Sequence, residues 1–148
     1  MNHTAAIEAV YTMPSGEAIH IRPLEKADLP GLEWDGEYSH FRKLYQQHYE
    51  NSLSGNTRIW VAQNENAEII GQVFLLLHSR QSETADGVFQ AYLFSFRIKP
   101  AYRSQGLGSF MLELAEGFLR DRGFRFLRLN VARSNPLARH MYENHGYR

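Results

Sequence analysis

Residues 96–108, Phe96-Arg97-Ile98-Lys99-Pro100-Ala101-Tyr102-Arg103-Ser104-Gln105-Gly106-Leu107-Gly108, constrain the fold more than any other stretch of the chain. They carry an aromatic, strand-prone run up to Pro100, then a loop with two closely spaced glycines. Behind the loop, Leu107, Phe110, Met111, Leu114, Phe118 and Leu119 recur at helical spacing, and Gly123 stands where a helix C′ glycine belongs. Phe124 to Val131 then reads as another strand. Strands joined through a helix can lie parallel in one sheet, so the second half of the chain predicts an α/β arrangement.

The first half adds antiparallel elements. Ile7 to Met13 and Ala18 to Arg22 flank the turn signal Pro14-Ser15-Gly16, which predicts a hairpin or a strand preceded by a mobile arm. Pro23 closes the strand, because it lacks the N–H a ladder needs. Asp28, with Pro30 behind it, opens a helical region. Trp34, Tyr38, Phe41, Tyr45 and Tyr49 follow at steps of three or four, one face of a helix that Gly36 weakens or divides. Arg58 to Gln63 and Glu68 to His78 predict a hairpin around Asn64-Glu65-Asn66. Val88 to Lys99 predicts a third strand, apolar enough to be covered on both faces. Asn135 caps a final helix with Pro136 at its first position and Gly146 at its end. The expected fold is α/β (α+β): one central mixed, twisted sheet with helices on both faces, in a single domain over residues 1–148.

Composition narrows the function. With 16 Lys plus Arg against 16 Asp plus Glu, the chain has no surplus of cations, which argues against a nucleic-acid binder. It holds no cysteine, which excludes disulfides, thiolate metal sites and a cysteine nucleophile, and which suits a cytoplasmic setting. The start lacks a basic region followed by an apolar run, and Val73 to Leu77 is far too short to cross a bilayer, so no membrane association is expected. His140 and His145 are five apart and share no helix face, and no metal site is expected.

The glycine loop carries the chemistry. The first turn of a helix presents free N–H groups and the positive end of its dipole, and glycines let a ligand come close to that backbone. The result is a cradle for a pyrophosphate. Two familiar phosphate loops do not fit. A P-loop needs Gly-Lys-Ser/Thr, whereas Ser109 and Phe110 follow Gly108; the dinucleotide fingerprint needs a third glycine where Met111 stands.

The segment resembles motif A of the GNAT superfamily of N-acetyltransferases, Gln/Arg-x-x-Gly-x-Gly/Ala, here Arg103, Gly106 and Gly108. Ile21-Arg22-Pro23-Leu24 with Ala27-Asp28-Leu29 resembles that family's first strand and helix start. Asn135 to Tyr147 resembles its motif B, and the likeness runs in order from about Ile19 to Arg148. It implies an N-acetyltransferase that passes the acetyl group of acetyl-CoA directly to a primary amine. Backbone N–H groups of Gln105, Gly106, Leu107, Gly108 and Ser109 would hold the pyrophosphate, with Ser104 in the same loop and Arg103 adding an N–H or its side chain. Phe96 and Ile98 would pair with the pantetheine arm like an added strand, the Ile98 N–H facing the thioester carbonyl. Asn135 would hydrogen-bond the arm, and Tyr142 would point its hydroxyl at the sulfur.

For the acceptor side, Trp34, Glu37, Tyr38 and Phe41 form an aromatic and acidic mixture suited to a cationic amine. Glu33, Glu37, His78 and Glu83 are the candidate bases. Relatives of this kind continue into a further strand, so the resemblance leaves the final strand missing after Arg148 and predicts a homodimer across the edge beside Phe124–Val131. The alternative function is a non-catalytic acyl-CoA-binding protein on the same fold.

Overall fold

A computed structural model of the protein describes residues 8–79, 89–129 and 141–146. The expected hairpin forms from β1 (Ala9–Thr12) and β2 (Ala18–Pro23), with the Met13 N–H donating to the Glu17 carbonyl at 2.8 Å across the turn. β3 (Thr57–Gln63), β4 (Ile69–Ser79), β5 (Phe89–Ile98) and β6 (Phe126–Leu129) follow, and the strands lie in chain order in one sheet. Every neighbouring pair is antiparallel except β5 and β6, which are joined through the helix α2 (Leu107–Asp121) and run parallel. Among the described strands β6 is outermost, and Phe126 on it is exposed.

The helical region differs from the expectation in an instructive way. It begins as a 3-10 helix at Lys26–Glu33, two residues before Asp28, because the Asp28 carboxylate folds back to accept the Glu25 N–H at 2.7 Å. Trp34, Asp35 and Gly36 then take positive φ values of 49°, 58° and 101°. No helix survives three such residues. The aromatic stripe is therefore not one helical face. Trp34 and Tyr38 lie in a turn, Phe41 precedes the helix α1 (Arg42–Leu53), and of the stripe only Tyr45 is buried within α1.

Side-chain alternation sends each strand's apolar residues to two cores. On one face Ile19, Ile21, Trp60, Ala62, Ile70, Val73, Leu75, Ala91 and Leu93 meet Leu107, Met111, Leu112, Ala115, Phe118 and Leu119 of α2. On the other, Ile59, Val61, Ile69 and Phe74 meet Leu32 and Tyr45. Each large aliphatic side chain removed from water in this way contributes about 1.5–3 kcal/mol. β5 departs from the expected two-sided cover: Ala91 and Leu93 are buried, but Phe94 to Ile98 are only half-buried.

The alternation slips between β3 and β4 at Ala62/Gln63, and again between β4 and β5. Phe74 pairs with Phe94 and Gln72 with Arg97, so Val73 alone faces both Ser95 and Phe96. This is a β-bulge, and Ser95 takes a φ of 50° to make it. Phe94 and Ser95 then share the α1 face, and beyond them the order is reset. Phe96 and Ile98 pack on the α2 side, while Arg97 turns to the α1 side.

The strand-to-helix joint beside α1 is pinned by Arg22, whose Nη1 and Nη2 donate to both Asp28 carboxylate oxygens at 2.7 and 2.9 Å. Burial alone raises the Asp28 pKa, but its bonds to Arg22 and to the Glu25 N–H outweigh this and hold it below the ordinary carboxylate range. A depressed folded-state pKa gives stability that is present above the unfolded value, about 3.9, and lost as the pH falls through the folded one. Asp28→Asn should therefore lower the unfolding free energy by about 1.5–3 kcal/mol at neutral pH. Denaturant titrations should show the deficit constant above pH ~5 and shrinking below pH ~4.

Candidate active site

Between β5 and α2 the chain makes one turn at Pro100–Tyr102 and enters the glycine loop. Ser104 and Gly106 take positive φ values of 60° and 92°, and Gly106 is the N-cap of α2. The first intrahelical bond runs from the Phe110 N–H to the Gly106 carbonyl at 3.0 Å, and Gly106 offers no side-chain cap. The N–H groups of Leu107, Gly108 and Ser109 thus precede the ladder at the positive end of a fifteen-residue helix. That is the uncapped helix start expected from the glycine spacing.

The loop is held from three sides. The Gln105 side-chain amide donates to the Ala101 carbonyl at 3.0 Å. The Gln105 carbonyl accepts the Tyr11 hydroxyl at 2.7 Å, and the Tyr11 ring leans on Phe110 at 5.0 Å. The Tyr11 hydroxyl lies so close to Gly106 that a Cβ there would overlap it. Arg103 donates from Nε to the Ile98 carbonyl at 2.6 Å. Its backbone N–H is already given to the Pro100 carbonyl at 3.2 Å, so of the two contributions expected from Arg103 only the guanidinium remains.

Ile98 faces the same space. The Lys99 N–H donates to the Ile70 carbonyl at 2.8 Å, toward β4. Alternation turns the Ile98 N–H and carbonyl the other way. β6 pairs with residues 90–93 of β5, and among the described residues no strand continues that pairing to Ile98. A Cβ on Gly108 would lie 3.2 Å from Met141 Sδ, 3.4 Å from Ile98 Cδ1 and 3.9 Å from Phe96 Cζ. The missing side chain lets the helical turn at residues 141–144 close over the start of α2. Tyr142 on that turn is 7% exposed, with its ring 6.3 Å from that of Phe96. Burial pushes its hydroxyl up to about 12. The fold therefore gathers Phe96, Ile98, Gly106, Leu107, Gly108, Ser109 and Tyr142, while Asn135 lies outside the described residues.

The acceptor side differs from the expectation. Tyr38 and Phe41 line a cavity of about 330 Å³ together with Leu44, Tyr45 and His48, and β5 contributes Phe94, Ser95 and Arg97. Trp34 is buried behind Tyr38, its ring edge-on at 5.4 Å. These rings already hold a cation: the Arg97 guanidinium lies 3.4 Å from the Tyr38 ring centroid and 4.7 Å from that of Trp34. Glu33 does not serve as a free base, because Arg42 donates to both of its oxygens at 2.9 Å and holds its pKa down. Glu37 is exposed and does not line the cavity. The side chain of His78, and all of Glu83, lie outside the described residues.

Several site residues escaped the sequence reading. His48 sits three residues after Tyr45 on the same helix face, and burial between Phe74 and Phe94 lowers its pKa. Arg97 could have been noticed as a lone charge inside an apolar strand. Nothing in the sequence singles out Tyr11.

A family model described as the Acetyltransferase (GNAT) family matches residues 21–147. The chain belongs to the GNAT acetyltransferase family. Members of that family use acetyl-CoA as the acyl donor. The chain is 28% identical over 110 residues to the uncharacterized N-acetyltransferase YdgE of Bacillus subtilis, covering 69% of this chain and 65% of that relative. It therefore spans about two thirds of that relative's length. Among solved structures, a Trypanosoma brucei acetyltransferase superposes with a TM-score of 0.72 at 20% identity, covering 88% of this chain and 92% of that one. A predicted acetyltransferase of Clostridium acetobutylicum, solved with acetyl-CoA, gives 0.68 at 17% identity, covering 88% and 90%. These likenesses show the GNAT fold. No helix among the described residues is long and apolar enough to cross a membrane.

The loop geometry predicts a strained substitution. Gly106→Ala places a Cβ at a φ of 92° and against the Tyr11 hydroxyl. It should lower the unfolding free energy by about 1–3 kcal/mol. Tyr11→Phe alone should cost about 0.5–1.5 kcal/mol for its lost hydrogen bond. Combined, the two should cost less than their sum, because the second removes the overlap made by the first. Strict additivity in chemical denaturation would show that the hydroxyl does not press on this glycine.

Proposed function

We propose that this chain is a cytoplasmic N-acetyltransferase that moves the acetyl group of acetyl-CoA directly to a primary amine. The observation that carries the reading is the meeting of three features: the uncapped start of α2 at Gly108, the outward Ile98 edge of β5 packed against it, and the buried Tyr142, whose ring lies 6.3 Å from that of Phe96. The cysteine-free sequence supports the setting, since it suits a reducing compartment.

Acetyl-CoA, when bound, supplies an activated acyl group. The N–H groups of Leu107, Gly108 and Ser109 would hold its diphosphate. The Ile98 N–H would donate to the acyl oxygen as negative charge grows there, a contribution of about 3–4 kcal/mol for one such donor. Arg103 fixes the neighbouring carbonyl and with it the direction of this edge. Tyr142 would donate a hydrogen bond to the departing sulfur. With its pKa raised to about 12, against about 8.5 for a simple thiol, it keeps its proton and acts as a donor rather than as a full acid. The incoming amine must be neutral, which at pH 7 costs about 1.4 kcal/mol for an α-amino group and about 4.6 kcal/mol for a lysine.

Calorimetric titration should show acetyl-CoA binding that Gly106→Glu abolishes. Tyr142→Phe should lower kcat by about 10–100-fold, the loss of one hydrogen bond to charge, with the affinity for acetyl-CoA unchanged. Tyr142 should impose no falling limb near pH 10 on the rate, because its own ionisation lies near 12. Failure of the folded chain to bind acetyl-CoA would defeat the reading. Binding without release of CoA to any amine would instead favour a non-catalytic acyl-CoA-binding protein.

A further inference from the structure

We infer that the acceptor is an amine that also bears a carboxylate, seated with its apolar body in the cavity between α1 and β5 and its negative charge toward Arg97. The inference rests on the transferase reading above and names the acceptor class for it.

Three observations carry it. First, the cavity is largely apolar, and Arg97 brings the guanidinium among the described residues that line it. Tyr38, Phe41, Leu44 and Phe94 give it a hydrophobic wall, and no carboxylate lines it among the described residues. His48 shares the lining, and burial holds it toward its neutral form. Second, Arg97 has no anionic partner among the described residues. Its Nη2 donates to the Leu32 carbonyl, the Tyr45 hydroxyl and the Gln72 side-chain oxygen, all neutral, at 3.2, 2.7 and 2.8 Å. Its Nε and Nη1 are buried and, among the described residues, have no hydrogen-bond partner. A buried guanidinium is ordinarily matched by a carboxylate or phosphate, and here none of the described residues supplies one. Third, the nearby charges do not cancel it. Lys99 lies over the Trp34 ring at 5.7 Å, adding a second cation, and Glu33 is taken by Arg42.

A cation entering this cavity meets like charge, whereas a carboxylate meets the complement of Arg97. The same charge lowers the pKa of an amine held nearby, which favours the neutral form that attacks. Tyr38 and Trp34 are not free to cage an ammonium group, because Arg97 already occupies their faces. Cavity shape and charge therefore both select against polyamines.

The test measures CoA release from acetyl-CoA with L-phenylalanine, L-leucine and L-methionine, each against its own amide, and with spermidine as a polycation. The expected result is a kcat/KM at least about tenfold higher for one or more of the free acids than for the matching amide, with spermidine lowest. Arg97→Gln, checked by circular dichroism for folding, should shrink that ratio toward one. If the variant does not fold, the wild-type comparison still decides the matter once each rate is expressed per neutral amine, since the amide also lowers the pKa of its own α-amine. Preference for the amides or for spermidine overturns the inference. So does an unchanged ratio in folded Arg97→Gln. Absence of both turnover and calorimetric binding of every free acid, by protein that binds acetyl-CoA, also overturns it and leaves the transferase reading standing. Loss of acetyl-CoA binding itself would remove both.

Discussion

Phe94 and Ser95 turn consecutive side chains to the same face of the sheet, and the rest of the candidate site depends on that slip. Without it, alternation would carry Phe96 and Ile98 to the α1 side and Arg97 to the α2 side. The loop at Gly106 and Gly108 would then face a guanidinium, and the cavity beside α1 would lose it. With the bulge, the strand serves two functions on its two faces. Gln72, fully buried, holds the slip in place: its Nε2 donates to the Ser95 carbonyl at 3.1 Å and hydroxyl at 2.8 Å, while its side-chain oxygen receives Arg97. A polar group that deep is tolerated because its hydrogen bonds are made. The strained Ser95 backbone is held by the same contacts.

The glycine loop follows a different logic. Its donors are backbone N–H groups, so the residue types matter chiefly through what they leave out. Gly106 leaves out a Cβ that would meet Tyr11, and Gly108 leaves out one that would meet Met141. Tyr11 comes from the hairpin, ninety-four residues away in sequence from the carbonyl it binds. The first strand pair is thus more than an edge to the sheet: its antiparallel register with β2 positions Tyr11 to fix the direction of the Gln105 carbonyl at the start of α2.

These two logics explain what could be read from the sequence. The order of strands and helices was legible, because each strand has its turn signal and α2 has its apolar stripe. The loop was legible, because a backbone site leaves a fixed spacing of glycines. Burial of Tyr142 could be expected from its place in the final helix, but not the size of the resulting shift. The aromatic stripe misled because Trp34, Tyr38, Phe41 and Tyr45 keep helical spacing across a break. Gly36 hinted at that break, yet nothing marked Trp34 and Asp35 as left-handed residues. The bulge was invisible because a single Ser in an aromatic run looks the same in either phase. Arg97, read as part of a strand covered on both faces, then became the charge at the centre of the acceptor side.

A division of labour follows for how such a domain can change. The proposed donor side is built from main-chain groups, and substitutions reach it only by altering backbone conformation or by filling space at Gly106 or Gly108. The proposed acceptor side is built from side chains on three short pieces: the left-handed turn at Trp34–Gly36, the buried face of α1, and the reset half of β5. Their charge balance rests on very few residues, with Glu33 committed to Arg42 and Arg97 paired with no anion among the described residues. Replacing Arg97 by a neutral residue would remove the guanidinium that lines the cavity without touching the main-chain groups at the start of α2. Specificity for the acceptor is therefore separable from the chemistry of transfer, and the bulge at Ser95 is the hinge between the two.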